Sequence, residues 1–262
     1  MQKSLVCALS NDKTPKFLAT LDAGGVPNIV PVISIRAADD HTLIFADFMV
    51  WKTKKNLLEN QHVSVLVLSP ELSWWAIKGT FQGFEKTGEY FETLSRQDMF
   101  RYNAYSGIRS AGVIKVEDVS EKHRLFNPAS VLESTAAMIR SRIAIRGDGV
   151  MPPQVTEKFR RIKSAKAIAV RGRDGFPVAV ITPSMFPIGN SHLLLGISDF
   201  PPKTLLNCPV NAAASVITYE PIAYQVKGLL HRTYRIGAVR LAAMRIEEVY
   251  SASPPLPGKR IA

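Results

Sequence analysis

Residues 17–35 read FLATLDAGGVPNIVPVISI, and residues 167–185 read AIAVRGRDGFPVAVITPSM. Each stretch is a short apolar strand, a turn closed by Gly-x-Pro (Gly25-Val26-Pro27 and Gly175-Phe176-Pro177), and a second apolar strand. Glycine supplies the positive φ that a tight hairpin requires, and proline ends the ladder. The match continues outward at a constant offset: Ala19 meets Ala169, Val30 meets Val180, Ser34 meets Ser184 and Leu43 meets Leu193. With one residue inserted, Lys52-Thr53-x-x-Asn56 falls on Lys203-Thr204-x-x-Asn207, Asn60 on Asn211, Ser64-Val65 on Ser215-Val216 and Pro70 on Pro221. After a two-residue deletion Lys78-Gly79 falls on Lys227-Gly228. Ordered self-similarity of this kind reads as two copies of one domain.

The copies share one series of expected elements. A short helix opens each, clearest in QVTEKFRRIKSA (154–165), where Val155, Phe159 and Ile162 share a face. After the hairpin come TLIFADF (42–48) and HLLLGIS (192–198). The KTxxN segment reads as a short helix, with Thr53 as its cap and Leu57 and Leu58 on its apolar side. Strands follow in VSVLVLS (63–69) and ASVITYE (214–220), in WAIKGTFQGF (75–84) and AYQVKGLLHRTY (223–234), and in GVIKVEDV (112–119) and AVRLAAMRIEEVY (238–250). Strand-rich halves with one or two helices predict a mainly β protein built of two tandem antiparallel barrels. Residues 1–127 form the first, 128–153 a linker, and 154–262 the second. The linker is helical over SVLESTAAMIRSRIAI and punctuated by Gly147-Asp148-Gly149 and Pro152-Pro153.

Composition narrows the classes. With 46% apolar and 21% charged residues over 262 positions the chain is globular, not disordered or fibrous. Its longest apolar runs fall far short of the ~20 residues a membrane helix needs. MQKSLVCALSNDK lacks a secretory apolar core, and Cys7 and Cys208 cannot make a disulfide framework, so a cytoplasmic location is expected. The formal charge of +11 favours anionic partners. Its clusters (52–55, 140–146, 158–166, 171–173) are short, and aromatic–basic interleaving is poor, so nucleic acid is not the expected partner. His41, His62, His123, His192 and His231 show no metal-ligand spacing. No Walker loop, G-x-S-x-G or G-x-G-x-x-G occurs. Chemistry here is expected to be carried by a cofactor.

The candidate site follows from the KTxxN segment. A lysine and a hydroxyl at a helix start bring a cation, an O–H donor and free backbone N–H groups together, which suits a phosphate. Lys52, Thr53 and Asn56 carry it in the first copy, and Lys203, Thr204 and Asn207 in the second. The Lys-Gly pairs predict a bulge or a close approach of backbone to a ligand, which brings in Lys78. Trp74 and Trp75 are candidates to stack on a planar ring; packing of one in the core with the other on the surface is the alternative. Arg96, Arg101, Tyr102, Tyr105 and Arg109 crowd a long irregular stretch, a candidate lid over an anionic substrate.

LATLDAGGVPNIVPVISI, TLIFADF, KTKKNLLENQHVSVLVL and WAIKGTFQ, in that order, resemble the pyridoxamine 5′-phosphate oxidase-like, FMN-binding split barrels. The likeness spans about residues 15–120 and, more weakly, 160–262, where MRIEEVYSASPPLPGKRI is similar to the family's last strand and tail. It implies FMN between two barrels, its phosphate held near Lys52-Thr53 and by Ser34, Ala46 and Asp47. It also implies a pseudo-dimer in place of the family's usual dimer, with further homodimerisation open. Ser184, Lys203, Thr204 and Asn207 imply a second site, which Gly196-Ile197 and Pro201-Pro202 put in question. The terminal PPLPGKRIA lacks the substrate motif of the vitamin-B6 oxidases, and no histidine follows His231 as in haem-handling relatives. A deazaflavin in place of FMN stays open. The leading expectation is an FMN-dependent oxidoreductase acting on a small molecule by hydride transfer. The alternative is a non-catalytic flavin-binding or electron-transfer protein.

Overall fold

The computed structural model describes residues 1–48, 50–97, 107–142, 149–201, 204, 209–237, 239–253 and 257–262. Two antiparallel sheets dominate. The first contains β1 (Lys16–Leu21), β2 (Pro27–Pro31), β3 (Arg36–Ala37), β4 (Thr42–Ala46), β5 (His62–Leu68), β6 (Ser73–Glu85) and β7 (Ala111–Val119), with the short β8 (His123–Arg124) beside β6. The second contains β9 (Ala165–Arg171), β10 (Pro177–Ile181), β11 (Met185–Ile188), β12 (His192–Gly196), β13 (Val210–Ile217), β14 (Ala223–Ile236) and β15 (Val239–Ser251). Their strand orders, β2-β1-β5-β6-β7-β4-β3 and β10-β9-β13-β14-β15-β12-β11, are the same order in two copies. The chain is a tandem pair of split barrels. Among the described residues the helices are α1 (Lys3–Ser10), α2 (Trp51–Glu59), α3 (Glu89–Ser95), α4 (Pro128–Arg142) and α5 (Pro153–Arg160), and none is long and apolar enough to cross a membrane.

The hairpin turns form as glycine allows: Gly25 has φ +78° and Gly175 φ +83°. The Lys-Gly pairs mark a bulge in both copies, where β6 shifts register against β7 between Lys78 and Gly79, and β14 against β15 between Lys227 and Gly228. A side chain on Gly79 would strike the Lys115 carbonyl, and one on Gly228 the Arg245 carbonyl. The close approach is therefore to the neighbouring strand, not to a ligand.

The register also corrects the alignment of the copies. Ala19 pairs with Ser64, and Ala169 with Ala213, so the equivalent of Ser64 is Ala213 and not Ser215. Two further expectations move. Helix α5 buries Val155 and Phe159 but ends at Arg160, which leaves Ile162 exposed. In α2, Leu57 is buried and Leu58 points outward.

The continuous apolar run in β1 arises because both of its faces are covered. Leu18, with Val65, Val67 and Trp75, points into the first barrel. Phe17 and Ala19, with Ile29, Leu66 and Leu68, join the core of the second. Contacts between barrels come in equivalent pairs: β2 with β13 and β10 with β5, β2 with β9 and β10 with β1, β2 with β14 and β10 with β6. That reciprocity is the mark of a twofold interface, so the two copies form an internal pseudo-dimer. Trp74 and Trp75 alternate between the two cores and both are buried, so neither is a surface residue.

The bulges make a prediction. Gly228→Ala should destabilise the chain by about 1–3 kcal/mol through overpacking against the Arg245 carbonyl. Gly107→Ala, where an added methyl meets nothing, serves as the control. Chemical denaturation midpoints compare them; equal midpoints would remove the steric account of the bulge.

Candidate functional site

A cavity of about 270 Å³ opens where the first barrel meets the second. One wall is β2 and the segment after it, from Asn28 to Ser34, with the start of α2 from Val50 to Thr53. The other wall comes from the second barrel: Ile217, Pro221, Ala223, Gln225, then Ser251 to Ser253 and Pro257–Gly258. The pocket is mostly apolar with a few polar groups at one end, the usual character of a small-molecule site.

The polar end is built by the first turn of α2. Its N-cap is Val50, which offers no side-chain oxygen, so the helix start carries no side-chain cap. Thr53 therefore does not cap, contrary to its sequence reading. It sits inside the first turn, buried, and its Oγ1 accepts a hydrogen bond from Asn28 Nδ2 at 3.2 Å. Asn28 Oδ1 in turn accepts from Gln225 Nε2 at 3.1 Å, and that same amide reaches the Ile29 carbonyl at 2.7 Å. Gln225 thus crosses from the second barrel to lock the helix start of the first.

Lys52 Nζ lies 3.9 Å from the centre of the Tyr250 ring, and its charge acts on Lys227. Lys227 is buried and has its pKa lowered to about 7, first by loss of hydration and then by the Lys52 charge; Asp22 and Glu248 oppose the shift. Among the described residues neither lysine makes an ion pair. Of the two, Lys52 lines the pocket, and beside the uncapped helix start it gives an electropositive end to an otherwise apolar cavity.

The remaining sequence candidates divide by position. Ser34 lines the pocket, and its Oγ accepts from Ala46 N at 3.1 Å. Ala46 is buried under α3. Asp47 is the counter-ion of Lys54, at 2.5 Å, and accepts from Ser110 Oγ at 3.0 Å. Asn56 donates to Thr20 Oγ1 at 3.1 Å and fastens α2 to β1. Trp75 sits in the first core, and Lys78 pairs across the interface with Asp174 at 2.5 Å, so neither lines the pocket. Ser184 Oγ accepts from Gly196 N at 3.2 Å, the same bond Ser34 makes. Thr204 lies in a turn, its N–H on the Pro201 carbonyl, while Lys203 and Asn207 fall outside the described residues. Of the lid candidates, Arg109 stacks over the Trp51 ring at 3.8 Å beside the pocket and Arg96 pairs with Glu92 on the surface. Arg101, Tyr102 and Tyr105 fall outside the described residues.

Sequence reasoning missed Asn28, Gln225 and Tyr250, and named Lys227 only within its Lys-Gly pair. The available signal was asymmetry between copies: Asn28 stands where the second copy has Val178, and Gln225 where the first has Ala76. A polar residue inside an apolar strand of one copy alone marks a position that acquired a partner.

Residues 7–141, just over half of the chain, match the family model described as pyridoxamine 5′-phosphate oxidase. The chain belongs to that family. It is 30% identical over 100 residues to an uncharacterized protein of Methanocaldococcus jannaschii, covering 37% of this chain and 65% of the relative. Similar solved structures include HupZ of Group A Streptococcus, with 24% identity over 45% of this chain and 91% of that one and a TM-score of 0.39. An FMN-binding protein of Syntrophomonas wolfei is 20% identical over 48% of this chain and 85% of its own, at a TM-score of 0.39. An F420 reductase is 16% identical over 46% and 98%, at 0.36.

The depressed pKa of Lys227 sets a pH dependence. An anion beside it favours the charged ammonium, so binding takes up a proton once the free lysine has begun to lose its own above pH 7. Affinity for sulfate, whose charge is constant in this range, should fall from pH 7 to 9 by at most about tenfold per pH unit. Calorimetric titration of the parent and of Lys227→Met checks this; a slope equally steep in the variant would assign the proton elsewhere.

Proposed function

We propose that the chain is an FMN-dependent oxidoreductase with its cofactor between the two barrels. The observation that carries the reading is the single pocket wall shared by the uncapped start of α2, Lys52 and Ser34 on one side, and by Gln225 and the Tyr250 strand on the other. The residues fit the group. Lys52 and the first-turn N–H groups supply the fixed positive charge and directed donors that a phosphate needs. Val30, Val32, Ile33, Ile217 and Ala223 supply apolar walls for a flat ring system.

FMN, when bound, supplies hydride transfer to or from a small molecule. The chain's own residues position and shield. The Gln225–Asn28–Thr53 series holds the phosphate end at a fixed distance from the second barrel. The apolar walls exclude water from the ring. Arg109, held over Trp51 at the edge of the pocket, offers a cation to an anionic substrate. The barrels are taken as residues 1–127 and 154–262. Residues 128–153 connect them, with α4 lying on β11, β12 and β15 of the second.

Lys52→Ala should weaken FMN binding by about ten- to a hundredfold, the loss of one charge-assisted hydrogen bond. Lys78→Ala should leave it unchanged, because its half-exposed ion pair with Asp174 contributes only ~0–1 kcal/mol to stability and lies away from the pocket. Titration of apo-protein with FMN reads both variants. Flavin bands in the visible spectrum of the purified protein, bleached by substrate without oxygen, separate a catalyst from a carrier. Undiminished binding by Lys52→Ala would refute the phosphate assignment.

A further inference from the structure

The pseudo-twofold should build a second pocket against the second barrel, on the Ser184 side. It is filled by the chain itself. Position 74 is the equivalent of Ala223, which lines the first pocket, and it holds Trp74. That indole stacks on His123 at 4.4 Å and belongs to the second core with Leu125.

A second departure from the first copy lies at the end of β12. Glu133, on α4, is buried, and its carboxylate lies at the end of β12. Oε1 accepts from the backbone N–H of Ile197 at 3.1 Å and of Ser198 at 3.0 Å; Oε2 accepts from Ser198 Oγ at 2.6 Å. The equivalent amides in the first barrel, those of Asp47 and Phe48, go to the backbone carbonyls of Ser110 and Ala46. Only the second barrel turns these donors toward an anion. Gly196 shows how close the carboxylate comes: a methyl there, as Ala46 has in the first copy, would collide with Glu133 Oε2 and Ser184 Oγ. Three donors on one carboxylate form an oxyanion nest. The ionisable group facing it is Asp199, its carboxyl raised to about 6 mainly by burial and further by the Glu133 charge.

We propose that this nest is a closed oxyanion site whose resident anion is Glu133, and that Trp74 limits one chain to one equivalent of flavin. Its stoichiometric half rests on the flavin reading above; the nest itself does not. Emptied of the carboxylate, the nest takes a small free oxyanion such as inorganic phosphate, but not the flavin ring, since Trp74 remains.

The test uses the full chain at pH 5, below the Asp199 carboxyl, with inorganic phosphate as the probe and amide NMR as the readout. In the parent, the Ile197 and Ser198 resonances should not move with phosphate. In Glu133→Ala they should shift saturably, while FMN still binds at one equivalent. If Glu133→Ala does not fold, Glu133→Gln keeps an acceptor without the charge. Its Ile197 and Ser198 amides should then exchange with water more than tenfold faster than in the parent. Still amides in Glu133→Ala, parent-like exchange in Glu133→Gln, or two equivalents of FMN on the parent would each overturn the proposal. If the parent binds no FMN while Glu133→Ala shows the expected NMR shifts, the flavin reading is refuted and the nest stands.

Discussion

A primary amide buried between two barrels cannot be left without partners, and Gln225 finds both of its own on the other barrel. Its acceptors, the Asn28 side chain and the Ile29 carbonyl, lie on β2, the edge strand of the first sheet. An open edge needs cover, and here the second barrel supplies it. The same bonds set the distance between the start of α2 and the second barrel through Asn28 and Thr53. The pocket is therefore a consequence of how the interface satisfies its polar groups, not a cleft added to a finished fold.

A twofold interface makes two crevices. In a homodimer they must be alike, because every residue occurs on both sides. Fusion of the copies lifts that restriction. Ala223 opposite Trp74, Asn28 opposite Val178 and Gln225 opposite Ala76 are each one position with two occupants. The backbone bonds survive around them: Ser34 and Ser184 accept the same amide, and both bulges persist. Backbone symmetry without side-chain symmetry leaves the fold intact while the crevices diverge.

The duplication, the glycine turns and the bulges were legible because each imposes a local rule that residue type alone expresses. The pocket was half legible. Lys52 and Thr53 sit in a motif and Ser34 comes from the family resemblance; Gln225 is brought to the pocket only by the packing of one copy on the other. The misplaced match of Ser64 to Ser215 has the same origin: register depends on the neighbouring strand, and a two-residue slip in an apolar run preserves the in–out alternation that the sequence displays. Trp74 and Trp75 were hard to place because alternation predicts opposite faces, and only the second barrel makes both faces interior.

The net charge of +11 is a poor guide to the site, and the buried lysines are a better one. Lys16, with its pKa lowered to about 8, donates to the Asn11 and Ile33 carbonyls, at 3.1 and 3.0 Å. Lys166, its equivalent, is lowered to about 7 by burial and donates to the Met185 carbonyl at 2.8 Å. Both recover part of the cost of leaving water by holding down the chain that follows their barrel's hairpin. Lys227 is desolvated to a similar degree but, among the described residues, has no carbonyl or carboxylate in hydrogen-bonding contact, only the neighbouring Lys52. The Asp22 and Glu248 charges offset part of that cost, and a buried ammonium facing another cation gains further from an added anion. The cost at Lys227, set against its recovery at Lys16 and Lys166, falls beside Lys52, the lysine that lines the pocket.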